Sequence, residues 1–174
     1  TTTKEKVRRT MIEQNLLLIL VLLPFVGAVA AATLPVNAHS AAAWLSGLTM
    51  AGGLAILAGF YDPVSQGLVI RGTVQWVPAI GLNLSFRLDG FAWLFVTLVL
   101  SIGILVVLYA RYYLSKTDPV PRFYSFLMAF TGAMLGILLS GNALMLVVFW
   151  ELTSIFSFLL IGYWHGNPNA RDGA

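Results

Sequence analysis

Five apolar runs, each about as long as a bilayer is thick, leave this chain few folds to choose from. They cover roughly residues 14–34, 41–60, 91–113, 123–139 and 142–164. At a rise of ~1.5 Å per residue, about 20 apolar residues cross the ~30 Å hydrocarbon core of a membrane as a helix. Backbone polar groups find no water there, so an open, irregular or edge-exposed segment is not viable in lipid. Composition points the same way: 59% of the residues are hydrophobic and 10% charged, where a soluble domain carries about 25% charged residues. The expected fold is all-α and membrane-embedded, a polytopic bundle of about five spans, with the lipid bilayer as its first partner.

Several chemistries drop out at once. There is no cysteine, so disulfides, thiolate metal sites and cysteine catalysis are excluded. The two histidines, His39 and His165, fall at expected span ends, where a solvated or interfacial role is expected rather than a metal site. The net charge is +3 and the basic residues lie near span ends, where lysine and arginine snorkel to headgroups; nothing suggests nucleic acid. No nucleophile–base pair, phosphate loop or metal-ligand cluster appears, so no cofactor or metal is expected and an enzyme is the least favoured class.

The chain opens with a polar segment, residues 1–13, containing Lys4, Lys6, Arg8 and Arg9. The first residue is Thr1; Met11 is a candidate native start, and an upstream start or a fragment boundary is the alternative. The first run is too long for the apolar part of a typical signal peptide and reads as span 1. Pro35 and Asn37 mark a turn before span 2, along which Gly47, Ala51, Ala55 and Gly59 recur every fourth residue. Such a small-residue stripe predicts a helix-packing face. Between spans 2 and 3 the period changes: Leu82, Leu84, Phe86 and Leu88 alternate with Asn83, Ser85 and Arg87, a strand pattern. With the extended stretch before it and a turn at residues 78–81, this predicts a β-hairpin over about 67–88, outside the membrane and over the helix ends or against a partner. Asp89 suits the N-cap of span 3. Tyr109, Arg111, Tyr112 and Tyr113 form an interfacial anchor at its other end. Pro119 and Pro121 prevent one continuous helix into span 4, whose Gly132, Gly136 and Ser140 form a second small-residue stripe, and Ser140-Gly141 breaks tightly into span 5.

That fifth run, NALMLVVFWELTSIFSFLLIGYW, holds Glu151 near its middle. A charge at the centre of a spanning helix costs at least ~2.5–3.5 kcal/mol on insertion scales, so such residues face a protein interior or a water path, where they have a function. Thr153, Ser154 and Ser157 lie within two turns, and Ser154 shares nearly the same helix face at i+3. These hydroxyls can support a carboxyl group or a water, and a carboxyl group flanked by Phe149 and Trp150 can take up and release a proton. The alternative is a structural glutamate paired with a partner on another helix.

Orientation follows from the basic residues. Counted from Met11, the side of the hairpin holds Arg71 and Arg87, and the other side holds Arg111, Lys116, Arg122 and Arg171. The bias of short loops then places the N-terminus and hairpin outside, although counting all ten basic residues reverses it.

Three stretches carry a family resemblance: FRLDGFAWLF at 86–95, the YARYYLS that closes span 3, and above all the fifth run, with its Trp-Glu pair, Ser-rich aromatic stretch and terminal Gly-Tyr-Trp. Over residues 14–166 the chain resembles the N-terminal part of the large antiporter-like membrane proteins found in respiratory complex I and in the multisubunit Mrp-type Na⁺/H⁺ antiporter, most of all the A-type component of the latter. The resemblance implies a partial inverted-repeat antiporter fold, about a third or less of a protein with some fourteen or more spans. It implies that Glu151 relays protons with a lysine two spans later, beyond residue 174. It also implies other membrane subunits as partners, H⁺ and a monovalent cation such as Na⁺ as cargo, and a multi-pass place in a bacterial inner membrane. The alternatives are a proton-pumping component of a redox-driven complex and a structural module whose carboxylate only anchors a neighbour.

Overall fold

A computed structural model describes residues 3–77, 82–115 and 118–164 of the chain. The elements are α1 (Thr3–Ala32), α2 (His39–Ala58), a short α3 (Tyr61–Ser65), β1 (Ile70–Val77), β2 (Leu82–Leu88), α4 (Gly90–Tyr113), α5 (Val120–Leu138) and α6 (Ala143–Ile161), closed by a 3₁₀ turn over Gly162–Trp164. Five helices are long and apolar enough to cross a membrane: Ile12–Ala32, His39–Ala58, Gly90–Tyr113, Val120–Leu138 and Ala143–Ile161. All five expected spans are therefore present, with ends displaced by a few residues. α1 runs on through the polar N-terminal segment without a break. α5 starts earlier than expected because Pro121 sits in its first turn, where a missing N–H costs no helical bond. α3 was not foreseen, and the expected turn at 78–81 lies outside the described residues.

α5 is the axis of the bundle. Two thirds of its apolar window, 67%, is buried, against 11% for α6. α1 packs along one side of α5 and α6 along another, while α2 lies mainly against α4. Hydrogen bonds between helices reinforce these seams, as they do in lipid where apolar burial alone does not hold helices together. Ser125 Oγ donates to the Ala28 carbonyl at 2.8 Å, Tyr124 Oη to the Val107 carbonyl at 3.2 Å, and Trp93 Nε1 to the Leu57 carbonyl at 3.0 Å.

The small-residue stripe of α5 packs as expected, though against two partners. A side chain at Gly132 would strike the Phe25 ring of α1, and one at Gly136 would strike the Phe149 ring of α6. Those rings belong to one cluster, with Phe25 lying 6.4 Å from Phe149 and 6.3 Å from Phe156 between centroids. Of the stripe expected on α2, only Gly47 is half-buried, facing Val107 of α4. Ala51, Ala55 and Gly59 are exposed, and the seam is made by Ala42, Ala43, Ser46, Met50, Gly53 and Leu57. α2 is apolar on every side and rich in small residues, so spacing alone did not single out the buried face.

The hairpin lies over the helix ends. β1 and β2 pair antiparallel from Ile70↔Leu88 to Val77↔Leu82, with a register shift between Gln75 and Val77. Ile70, Phe86 and Leu88 are buried and Arg71 and Arg87 exposed, the alternation the sequence predicts. Gly72 lies against Gln14 of α1 so closely that a Cβ there would approach its backbone to 3.2 Å. Asp89 caps α4 as expected: its Oδ1 accepts from the Ala92 N–H at 2.9 Å and its Oδ2 meets Arg87 Nη2 at 2.9 Å.

Candidate functional site

The hairpin fixes where α6 begins. The Arg87 N–H donates to the Leu139 carbonyl at 2.8 Å, and the Gly141 N–H donates to the Ser85 carbonyl at 2.6 Å. Asn142 then does two things at once. Its Oδ1 accepts from the Met145 N–H at 2.8 Å, capping α6, and its Nδ2 donates to the Asn83 carbonyl at 2.9 Å, tying that cap to β2. Gly141 is required by proximity: a Cβ there would lie 2.8 Å from the Ser85 carbonyl oxygen. Sequence reasoning missed these positioning residues, although an asparagine directly before an apolar run is a recognisable helix start.

From that anchor α6 carries Glu151 to its middle, eight residues after Ala143 and ten before Ile161. The face built from Met145, Phe149, Phe156 and Leu160 packs on the core. At 3.6 residues per turn, Glu151 falls on the opposite side with Val147, Ser154 and Phe158, and all four are exposed. Among the described residues Glu151 has no ion-pair or hydrogen-bond partner. The carboxyl group in the middle of α6 thus points away from the described core.

The expected supporting hydroxyls divide. Ser154 shares the face of Glu151, while Thr153 and Ser157 are half-buried towards the flank. Thr153 Oγ1 donates to the Trp150 carbonyl at 2.6 Å, and Ser154 Oγ makes a long contact with the same carbonyl at 3.4 Å. None of these hydroxyls therefore reaches the carboxylate directly. Donation to the preceding turn is the usual resting place of serine and threonine in a helix, and a hydroxyl so placed still offers its oxygen lone pairs to water. Phe149 is half-buried and Trp150 exposed beside the carboxylate. Among the described residues no group of three or more His, Asp or Glu residues stands close enough to hold a metal ion.

Residues 76–124 match a family described as NADH-ubiquinone oxidoreductase (complex I), chain 5 N-terminus. The chain is 51% identical over 161 residues to the combined A/B component of a probable K⁺/H⁺ antiporter of Rhizobium meliloti, a match covering 92% of this chain and 16% of that protein. It is 48% identical over 111 residues to the A component of the Na⁺/H⁺ antiporter of Alkalihalophilus pseudofirmus, covering 63% of this chain and 14% of the relative. Among solved structures, a chain of the Mrp complex from a Dietzia species superposes with a TM-score of 0.66 at 29% identity, over 86% of this chain and 16% of that one. A chain of an archaeal membrane-bound sulfane sulfur reductase shares the fold with a TM-score of 0.66 at 19% identity, over 82% of this chain and 22% of that one. The resemblance read from the fifth run and the FRLDGFAWLF stretch is borne out: the chain is similar to part of the A-type antiporter proteins. It spans about a seventh to a sixth of the length of these curated relatives, 14% and 16%.

Proposed function

We propose that this chain, similar over nearly its whole length to part of the A-type antiporter proteins, contributes the proton-carrying glutamate of a multisubunit monovalent cation/H⁺ antiporter. The observation that carries this reading is the placement of Glu151: the centre of a spanning helix, on the face turned from the packed core, with Ser154 beside it. A carboxylate facing lipid is too costly to persist, so this face belongs against other helices or water. A cationic side chain brought near from a later span favours the carboxylate, and its withdrawal favours the neutral acid. Alternating the two loads and unloads one proton at mid-membrane, and the serine and threonine oxygens offer water an onward path. Sodium is the cargo we propose, although the names of the relatives divide between Na⁺ and K⁺. The setting is a bacterial inner membrane, with other membrane subunits as partners.

A second reading is a proton-pumping component of a redox-driven complex, favoured by the complex I description of the family matching residues 76–124. The two differ in what drives the proton. The test is the full-length protein with its partners in inverted vesicles, with a pH gradient imposed and Na⁺ or K⁺ then added. Wild type should collapse the gradient on cation addition, Glu151→Gln should not, and both should assemble equally on native gels. A Gln variant exchanging at the wild-type rate would sink the role of Glu151. Gradient formation driven by a quinone reductant, with no response to either cation, would select the redox reading.

A further inference from the structure

At the end of the bundle opposite the hairpin, two neighbouring cavities share two lining residues. The outer one, about 630 Å³, lies between the start of α2 at His39 and Ser40 and the end of α4 at Arg111 and Tyr112. The inner one, about 420 Å³, continues as a groove between α2 and α4, with Trp44, Leu48, Ile104 and Leu108 along it. Arg111 and Tyr112 line both. The guanidinium of Arg111 lies over the Trp44 ring, 5.7 Å from its centroid, and among the described residues no carboxylate pairs with it. The groove is open for its length: Trp44, Leu48 and Leu108 are exposed, and a Cβ added at Gly47 would meet only Val107, at 3.9 Å.

From this geometry we infer an anionic glycerophospholipid site, with the phosphate in the outer cavity at Arg111 and one acyl chain in the groove between α2 and α4. Polar room above an apolar slot, joined at a fixed cation, has the layout of a lipid with its headgroup at the interface. Among the described residues Arg111 has no neutralising partner, so a phosphate complements its charge, and the exposed amide end of α2 acts in the same direction. Tyr112 lines both cavities, and Tyr109 and Tyr113 are exposed at the same end of α4 on its other face, the level where aromatic belts sit. Arg111 in the last turn of α4 and Arg122 in the first turn of α5 both belong to this end of the bundle, and basic pockets between spanning helices on the cytoplasmic side attract anionic headgroups. Nothing in this inference depends on the role of Glu151.

The experiment uses the full-length protein with its partners in phosphatidylcholine nanodiscs. The probe is a trace of phosphatidylglycerol carrying a photoreactive diazirine near the end of one acyl chain, and adducts are mapped by mass spectrometry. The site predicts adducts concentrated on peptides containing residues 44–48 and 104–108, competed by unlabelled phosphatidylglycerol and not by phosphatidylcholine. Arg111→Gln should lower this labelling about fivefold, the effect expected of one basic residue at an anionic lipid, Arg111→Lys should restore most of it, and Gly47→Leu should remove it by filling the slot. Adducts spread evenly over the exposed helix faces would overturn the inference, as would equal competition by phosphatidylcholine or adducts showing a protein helix in the groove. Where a variant does not assemble, the wild-type map and its competition decide alone.

Discussion

Gly136 sets how closely α6, and with it Glu151, lies against α5, and adding one methyl group there tests this. In Gly136→Ala the new Cβ would overlap Cγ, Cδ1 and Cε1 of the Phe149 ring, which must retreat by roughly an ångström to regain ordinary carbon contact. Cγ lies on the axis of ring rotation, so turning the ring does not relieve the overlap; either χ1 or the whole helix must move. Phe25, 6.4 Å away, blocks one direction. Overpacking of this kind costs about 1–3 kcal/mol, offset by about 0.5–1 kcal/mol because alanine is the better helix former. A net loss of about 1–2 kcal/mol is expected. Gly132→Ala is the internal comparison: its Cβ would meet Cε2 and Cδ2 of Phe25 at 2.8 and 2.9 Å, which ring rotation moves, and Cζ at 3.1 Å, which a shift of a few tenths of an ångström relieves, so it should cost clearly less than Gly136→Ala. Thermal stability of the full-length protein fused to a fluorescent reporter, followed by size-exclusion after heating, measures both. Phe149→Leu should rescue Gly136→Ala, with a coupling of at least ~1 kcal/mol. Additivity of the pair to within ~0.5 kcal/mol, the behaviour of independent sites, would refute the proposed contact, as would Gly132→Ala proving the more damaging variant.

The tie between the hairpin and α6 makes further predictions for the same stability assay. Asn142→Ala should lose both cap and tie, about 2 kcal/mol in all, whereas Asn142→Asp keeps the accepting oxygen and should lose about half as much; equal losses would refute the dual role. Gly141→Ala should be worse than Gly132→Ala, because its neighbour is the Ser85 carbonyl and backbone cannot step aside as a ring can. Asp89→Asn keeps an N-cap oxygen but removes the ion pair with a half-exposed Arg87, so it should change stability by less than ~1 kcal/mol, while Asp89→Ala should cost about 1 kcal/mol or more. In vesicles, Asn142→Ala and Gly136→Ala should each slow cation-driven proton exchange while Glu151 itself is intact; transport at the wild-type rate in both would separate the anchor from the function.

What could be read from the chain follows from which signals lipid preserves. The spans were legible because the bilayer imposes length and apolarity together, and the hairpin because Phe86 and Leu88 alternate with Ser85 and Arg87 across one buried face. The packing faces were half legible. On α5, Gly132 and Gly136 mark the seams because large aromatic rings sit opposite them. On α2 the spacing of Ala51, Ala55 and Gly59 was equally regular, yet those residues are exposed while Gly53 and Leu57 pack; a helix apolar all round carries no contrast between core and lipid. Glu151 was legible as an outlier in polarity. The bonds that position it were not, since the Asn142 tie to Asn83 and the Gly141 approach to Ser85 join residues far apart in the chain.

That positioning bears on how such a site works. α6 is held at one end by the hairpin bonds to Gly141 and Asn142 and along its flank by the Phe25, Phe149 and Phe156 cluster, while the face bearing Glu151 and Ser154 is exposed. One side of the helix is therefore fixed by well-packed rings and short hydrogen bonds, and the other is exposed. This division suits a proton relay: the carboxyl group must stay within reach of its donor and acceptor to a fraction of an ångström, because a small misplacement costs orders of magnitude in rate. A structural glutamate would have the opposite requirement, a permanent partner and no need for exact placement. Loosening the anchor without touching Glu151 thus separates the two: a relay loses rate in Asn142→Ala in proportion to the lost cap and tie, and a structural carboxylate loses assembly or nothing.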